Sequence, residues 1–217
     1  SFETLLTQIG SFADSLPRAL CWGSAWDMTR DAELTSAQFV ELVLAGVGTE
    51  SDLTAVSSLL RQGQTAISLF TSDAARPALA ARWEAALADL LNSAEPGSDH
   101  QLAFARASAA TSGQRLRDLL GGAVAGLDID TDLRWTLVQG LARIGAADDQ
   151  EVAAELSLDD TNQGRENAAL ALALRPLASA KAEAWQRVVE DASTPNETRR
   201  QIAEGFQVPG QGEVLAE

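Results

Sequence analysis

The sequence predicts an all-α fold, an α-α superhelix or α-solenoid of about twelve antiparallel helices, on three observations. Alanine and leucine abound while isoleucine is scarce and tyrosine absent, which favours helix over strand. Apolar residues step by three and four from one end of the chain to the other. Helix-start punctuation, a Ser or Thr followed three residues later by a polar or acidic partner, recurs throughout.

The elements follow in order. Trp22 and Trp26 stand four apart on one early helix, a spacing that reads as core. Asp27, Arg30 and Asp31 on that helix read either as an intrahelical ion-pair set or as a surface towards an adjoining domain. Thr35 with Gln38 opens the next helix. Leu53, Val56, Leu60, Gly63, Ile67 and Phe70 draw one stripe on a helix over about residues 50 to 71, with Thr49 and Asp52 at its start. Leu79, Trp83, Ala86, Leu87 and Leu90 form another stripe, and Ser98 with Gln101 marks a further start. Leu133, Leu137, Leu141 and Ile144 line a helix near residues 132 to 145 that also carries Trp135, Val138 and Ala142 on its other sides. A helix apolar on several sides is sandwiched between neighbours, the pattern of stacked helix pairs. Ala182, Trp185, Val189 and Ala192 make a later stripe; Thr194, Pro195 and Glu197 open the last helix.

Connections such as Gly46-Val47-Gly48, Glu95-Pro96-Gly97 and Arg175-Pro176 are short. Trp83, Trp135 and Trp185 recur at similar intervals, an irregular repeat in which each ring is expected to fill the space between helices. No proline- or serine-rich linker divides the chain, so residues 1–217 read as a single helical-repeat domain.

Composition narrows the chemistry. With 31 acidic against 16 basic side chains and a net charge of -15, the chain repels phosphate backbones and anionic lipid, so no nucleic acid and no membrane surface is expected as a partner. No window approaches the roughly 18 unbroken apolar residues of a membrane helix, and the stretch from Ser1 lacks the pattern of a secretory leader. A single cysteine, Cys21, makes no internal disulfide, and its apolar neighbours suggest an inert buried thiol; the expected compartment is the cytoplasm. One histidine, one methionine, one lysine and no tyrosine leave few catalytic devices. A two-histidine zinc helix cannot be built from them, and no nucleophile elbow, phosphate loop or dinucleotide fingerprint occurs.

Asp128, Asp130 and Asp132 imitate the opening of a calcium loop, but Leu133 and Gln139 stand where glycine and glutamate belong, and capping of the Trp135 helix is the expected role. His100 at a helix start has no nucleophile and orienting group to serve as a catalytic base. Asn196-Glu197-Thr198 matches a glycosylation acceptor by chance in the first turn of a helix. Asp148, Asp149, Glu151, Glu155, Asp159 and Asp160 read as a solvated face or, alternatively, as carboxylates converging on a cation.

Ser15-Leu-Pro-Arg-Ala-Leu-Cys-Trp22 and its continuation through Ala25-Trp-Asp-Met-Thr-Arg-Asp31 resemble the C-terminal helical domain of the bacterial, especially actinobacterial, aminopeptidase N family. Glu95-Pro-Gly-Ser-Asp-His-Gln-Leu-Ala103, Thr131-Asp-Leu-Arg-Trp135 and Lys181-Ala-Glu-Ala-Trp185 resemble further blocks of that domain in the same order. The resemblance implies a HEAT-like superhelix belonging to a longer zinc exopeptidase, truncated here at both ends. The family's H-E-x-x-H zinc helix, its G-x-M-E-N segment and its transition-state tyrosine belong to another domain, so no catalytic, cofactor-binding or metal-binding residue carries over to this chain.

The implied cofactor is zinc in that catalytic domain, with none in this fragment; the implied partners are that domain and peptide substrates. The implied role is to close the active-site chamber and limit which peptides enter. The alternative is a free-standing α-solenoid that holds a protein partner. For a surface facing peptide or the missing domains, the candidates are Arg30, Asp99, His100, Arg106 and Arg134. Arginines beside Trp26 and Trp135 offer bidentate donors to a carboxylate, the other reading being ordinary surface ion pairs.

Overall fold

A computed structural model describes residues 2–111 and 113–215. Among them the chain forms twelve α-helices and no strand: α1 (Phe2–Gln8), α2 (Ser15–Arg30), α3 (Ser36–Gly46), α4 (Leu53–Leu69), α5 (Arg76–Ser93), α6 (Asp99–Ala107), α7 (Gly113–Leu120), α8 (Thr131–Arg143), α9 (Asp149–Leu158), α10 (Asn162–Leu174), α11 (Ala178–Trp185) and α12 (Asn196–Phe206). The all-α class follows from the features that predict it, since helix after helix begins on a side-chain cap. Thr35 and Gln38 close a reciprocal capping box on α3, Ser98 accepts the Gln101 amide at α6, and Asp130 accepts the Leu133 amide at α8. Two starts differ from expectation: the cap of α4 is Asp52, which takes the amides of Thr54 and Ala55, while Thr49 belongs to a preceding 3-10 turn and turns its hydroxyl to Gly46 O; at α12 the cap position is Pro195, which has no side-chain acceptor, while Thr194 donates its hydroxyl to Asp191.

The helices gather into two compact units, one of residues 1–110 with 124–128 and one of residues 111–123 with 129–217. In each, the closest packings join helices one or two places apart in order, which is consistent with an α-solenoid.

In the first unit α3 supplies the centre, with Phe39, Val40, Leu42 and Val43 fully buried. The α4 stripe turns Val56, Leu60, Gly63 and Ile67 inward together with Leu59 and Ala66, while Leu53 and Phe70 at its two ends are exposed. Trp83 of α5 lies against α4 at Gly63, where an added Cβ would come within 2.5 Å of the indole. Trp26 is half-buried between the rings of Phe39 and Phe70, at 5.2 and 5.8 Å. Cys21 is half-buried rather than enclosed, because α2 turns Arg18, Trp22, Ala25 and Thr29 inward and leaves position 21 at the margin of that stripe.

In the second unit α8 carries Leu133, Trp135, Leu137, Val138 and Leu141 into the core on several sides, as a sandwiched helix must. The α11 expectation is overturned. Ala180 and Ala184 are the buried face, joined by the half-buried Val188, while Trp185 is 52% and Val189 57% exposed. The reason is the closeness of α10, α11 and α12: Ala169, Ala173, Ala184 and Ile202 pack as a small-residue cluster, leaving a bulky ring only the margin, beside Phe206 at 5.9 Å. A π-helical turn over Gln186–Glu190 then shifts the register of the predicted stripe.

Candidate functional site

The second unit holds a groove of about 420 Å³ between α7, α8 and α9, with Leu120, Val138 and Leu141 among its apolar lining and two arginine–glutamate pairs at its sides. Arg117 of α7 donates from Nη1 to Glu151 Oε1 at 2.7 Å and from Nη2 to Glu151 Oε2 at 3.2 Å, and also to the carbonyl of Ala146. Arg134 of α8 donates from Nε to Glu155 Oε1 at 2.8 Å and from Nη2 to Glu155 Oε2 at 2.6 Å. Both are fork-to-fork pairs, the strongest geometry available to arginine and carboxylate. The Arg117 guanidinium holds the Glu151 carboxyl below its ordinary range, and the hydrogen bonds that the two arginines donate to Glu151 and Glu155 raise the arginines above theirs.

Local sequence sets this up. Asp148 caps α9 in a box with Glu151, which fixes the helix so that Glu151 and Glu155, four apart, share a face. The run of acids is therefore neither a bare solvated face nor a cation cluster. Asp149 pairs with Arg175, Asp159 accepts the Trp135 indole N–H at 2.9 Å, and Asp160 pairs with Arg165. Among the described residues no group of three or more His, Cys, Asp or Glu side chains could hold a metal ion. The donor set does not fit zinc: it is carboxylate-rich, each of these acids already has a protein donor, and the one imidazole is engaged elsewhere.

The first unit contains a buried polar hub that sequence reading missed. Glu50, just past the end of α3, accepts Arg18 Nε at 2.6 Å, Arg18 Nη2 at 2.7 Å, Trp22 Nε1 at 3.0 Å and the Asp52 amide at 3.1 Å. Its backbone carbonyl lies 2.7 Å from His100 Nε2, which must carry its hydrogen to bond there. The hydrogen bonds from Arg18 and Trp22 pull the Glu50 carboxyl down to about 2. Arg18 and Glu50 are 7% and 2% exposed, so this is an interior pair that locks α2 to the α3–α4 connection.

Of the sequence-derived candidates, Arg30 is exposed on α2, with Nη1 3.6 Å from Asp27 on its own helix. Asp99 and Arg106 are exposed and His100 half-buried on α6, while Arg134 lies in the second unit, bound to Glu155. Among the described residues no hydrogen bond or ion pair joins any two of Arg30, Asp99, His100 and Arg106. The groove residues Arg117, Glu151 and Glu155 were missed as a set. Their signal was the four-residue spacing of the glutamates; the partner arginine is 34 residues away from Glu151, a separation that no local rule spans.

A family model described as the ERAP1-like C-terminal domain matches residues 1–217. A curated relative, Aminopeptidase N of Streptomyces lividans, is 48% identical over 223 residues, covering 100% of this chain and 26% of its own length. The chain thus spans about a quarter of the curated relative that it matches.

Proposed function

Because the chain belongs to the ERAP1-like C-terminal domain family, we propose that it is the non-catalytic C-terminal domain of a zinc aminopeptidase that removes N-terminal residues from peptides. The likeness supports a domain of an aminopeptidase, and the single observation that carries this reading is the match from the first residue to the last. In the proposed arrangement the two units act as one helical-repeat domain, and the catalytic zinc is held by the rest of the parent chain. The helical domain closes the chamber over that metal and limits entry to extended peptide. Its partners are then the catalytic domain of the same polypeptide and the peptide itself.

A geometric role suits what the residues can do. The groove and the Glu50 hub are built from satisfied ion pairs, which position helices rather than transfer protons. Exposed Arg30, Asp99 and Arg106 are the proposed contacts for peptide or for the catalytic domain; His100 and Arg134, held by the Glu50 carbonyl and the Glu155 carboxylate, act there by position. No helix among the described residues is long and apolar enough to cross a membrane. The single cysteine suits a reducing compartment, and we place the parent in the cytoplasm.

The test is made on the full-length gene product. One zinc per chain, and hydrolysis of both a short aminoacyl amide and longer peptides, are expected. Reversing charge at Arg30 and Arg106 together should change kcat/KM for long peptides by severalfold and leave the short amide unaffected. Absence of a zinc helix from the encoded parent, or the same response for long and short substrates, would overturn the proposal.

A further inference from the structure

α9 is held in a different way from the helices around it. Of its ten residues only Val152 and Glu155 are buried, whereas the adjacent α8 buries seven. Its last residue, Leu158, is 72% exposed. Its backbone packs most closely on α10, and it reaches α7 and α8 across the groove through side chains. Those side chains are charged: Arg117 crosses to Glu151, Arg134 crosses to Glu155, and Arg175 at the end of α10 pairs with Asp149. A ten-residue helix is too short to persist on its own in water, so its place depends on what docks it.

We infer that α9 is a cover over the α7–α8 face of the groove, held shut by charge and releasable by salt. Apolar docking is nearly indifferent to salt, but the attraction between partly exposed charges is not. The Debye length falls from about 10 Å at 0.1 M to about 3 Å at 1 M. The Arg117 and Glu151 side chains are 45% and 43% exposed and the Arg134 side chain 34%, so screening ions reach all three. Glu155 is 6% exposed, and a carboxylate that loses its charged partner in such a place is drawn out to water. Release would carry α9 away from Val138 and Leu141, which are 6% and 1% exposed in the closed arrangement, and open the groove floor.

Hydrogen exchange followed by mass spectrometry on the full-length protein tests this at 0.05 and 1 M NaCl. Amides of α9 are expected to exchange about tenfold faster at high salt, while those of α10 and α12 keep their protection. The Arg117→Gln/Arg134→Gln variant is expected to show fast α9 exchange already at low salt. In Arg134→Gln/Glu155→Gln, where amides replace the pair without leaving a buried charge, protection of α9 should return at low salt with a smaller response to NaCl. Equal α9 exchange at both salt concentrations in the unmodified protein overturns the inference, and so does a rise shared equally by α8, α10 and α12. Either result is decided on the unmodified chain, whether or not the variants fold.

Discussion

Arg18 and Glu50, 32 residues apart, meet as a two-pronged pair at 2.6 and 2.7 Å with both side chains almost fully enclosed. The carboxylate has further donors in Trp22 and the Asp52 amide, so its lone pairs are well used. Removing one partner of such a pair strands the other. Glu50→Ala is expected to destabilise the first unit by about 3 kcal/mol, read as a lower urea midpoint.

The same pair sets an acid limit. Glu50 titrates at about 2 in the folded chain against an ordinary 4.5, so between these values the unfolded chain binds more protons. The stability from this carboxylate is fully present above pH 4.5 and is lost as pH falls towards 2. Urea midpoints measured from pH 6 down to 3 should fall more steeply for the unmodified protein than for a chain with Arg18→Met and Glu50→Leu. Parallel curves would count against the assignment.

What was legible in the sequence was what is local. Thr35 with Gln38, Ser98 with Gln101 and the Asp130 cap span three residues each and form as expected, because a cap needs only the first turn of its own helix. Pairings across the fold were not legible. Arg18 finds Glu50 and Arg117 finds Glu151 only once whole helices have docked. The acids from Asp148 to Asp160 show the same limit: from one sequence they look like a bare patch, and the arginines that pair with Asp149, Glu151, Glu155 and Asp160 sit on α7, α8 and α10 or beside them. Trp185 departs from expectation because apolar size alone does not bring burial where alanines face the nearest helix.

The two tryptophans of the second unit should separate cleanly. Trp135 is 1% exposed and donates to Asp159, so Trp135→Ala is expected to cost about 3 to 5 kcal/mol through lost burial and the cavity it leaves. Trp185 is 52% exposed, and Trp185→Ala should cost less than about 1 kcal/mol. Paired urea titrations decide this, and equal losses would contradict the burial.

Gly205 marks a close approach of α12 to α10. An added Cβ would lie 2.8 Å from the Ala173 Cβ and 2.9 Å from the Leu170 carbonyl oxygen, part of a backbone that cannot step aside alone. Gly205→Ala would gain helix propensity worth about 1 kcal/mol, yet overpacking of this kind costs about 1 to 3 kcal/mol. A net loss of stability is expected, whereas a gain in thermal midpoint would show that the two helices have room.

Lys181, the chain's one lysine, lies 3% exposed and donates its ammonium to Ala173 O at 2.6 Å and Gly205 O at 2.9 Å. Both carbonyls lie in the last turns of α10 and α12, where intrahelical donors run out and the helix dipole is negative. One side chain therefore caps two helix ends and fixes where they meet. Lys181→Met keeps the apolar stem but leaves both carbonyls without this donor, an expected cost of about 2 kcal/mol. Burial pushes the Lys181 ammonium down to about 8 from an ordinary 10.5, so between those values the unfolded chain binds more protons than the folded one. Stability linked to this group accordingly rises with pH across that window, because the folded chain no longer has to bury a charge and the neutral amine still donates to both carbonyls. The advantage of the unmodified protein over Lys181→Met should therefore widen between pH 8 and 10.5, measured as the difference in urea midpoint at each pH. A constant or shrinking difference would mean that the capping role depends on the charge and that the ammonium holds its proton in the folded chain as firmly as in water.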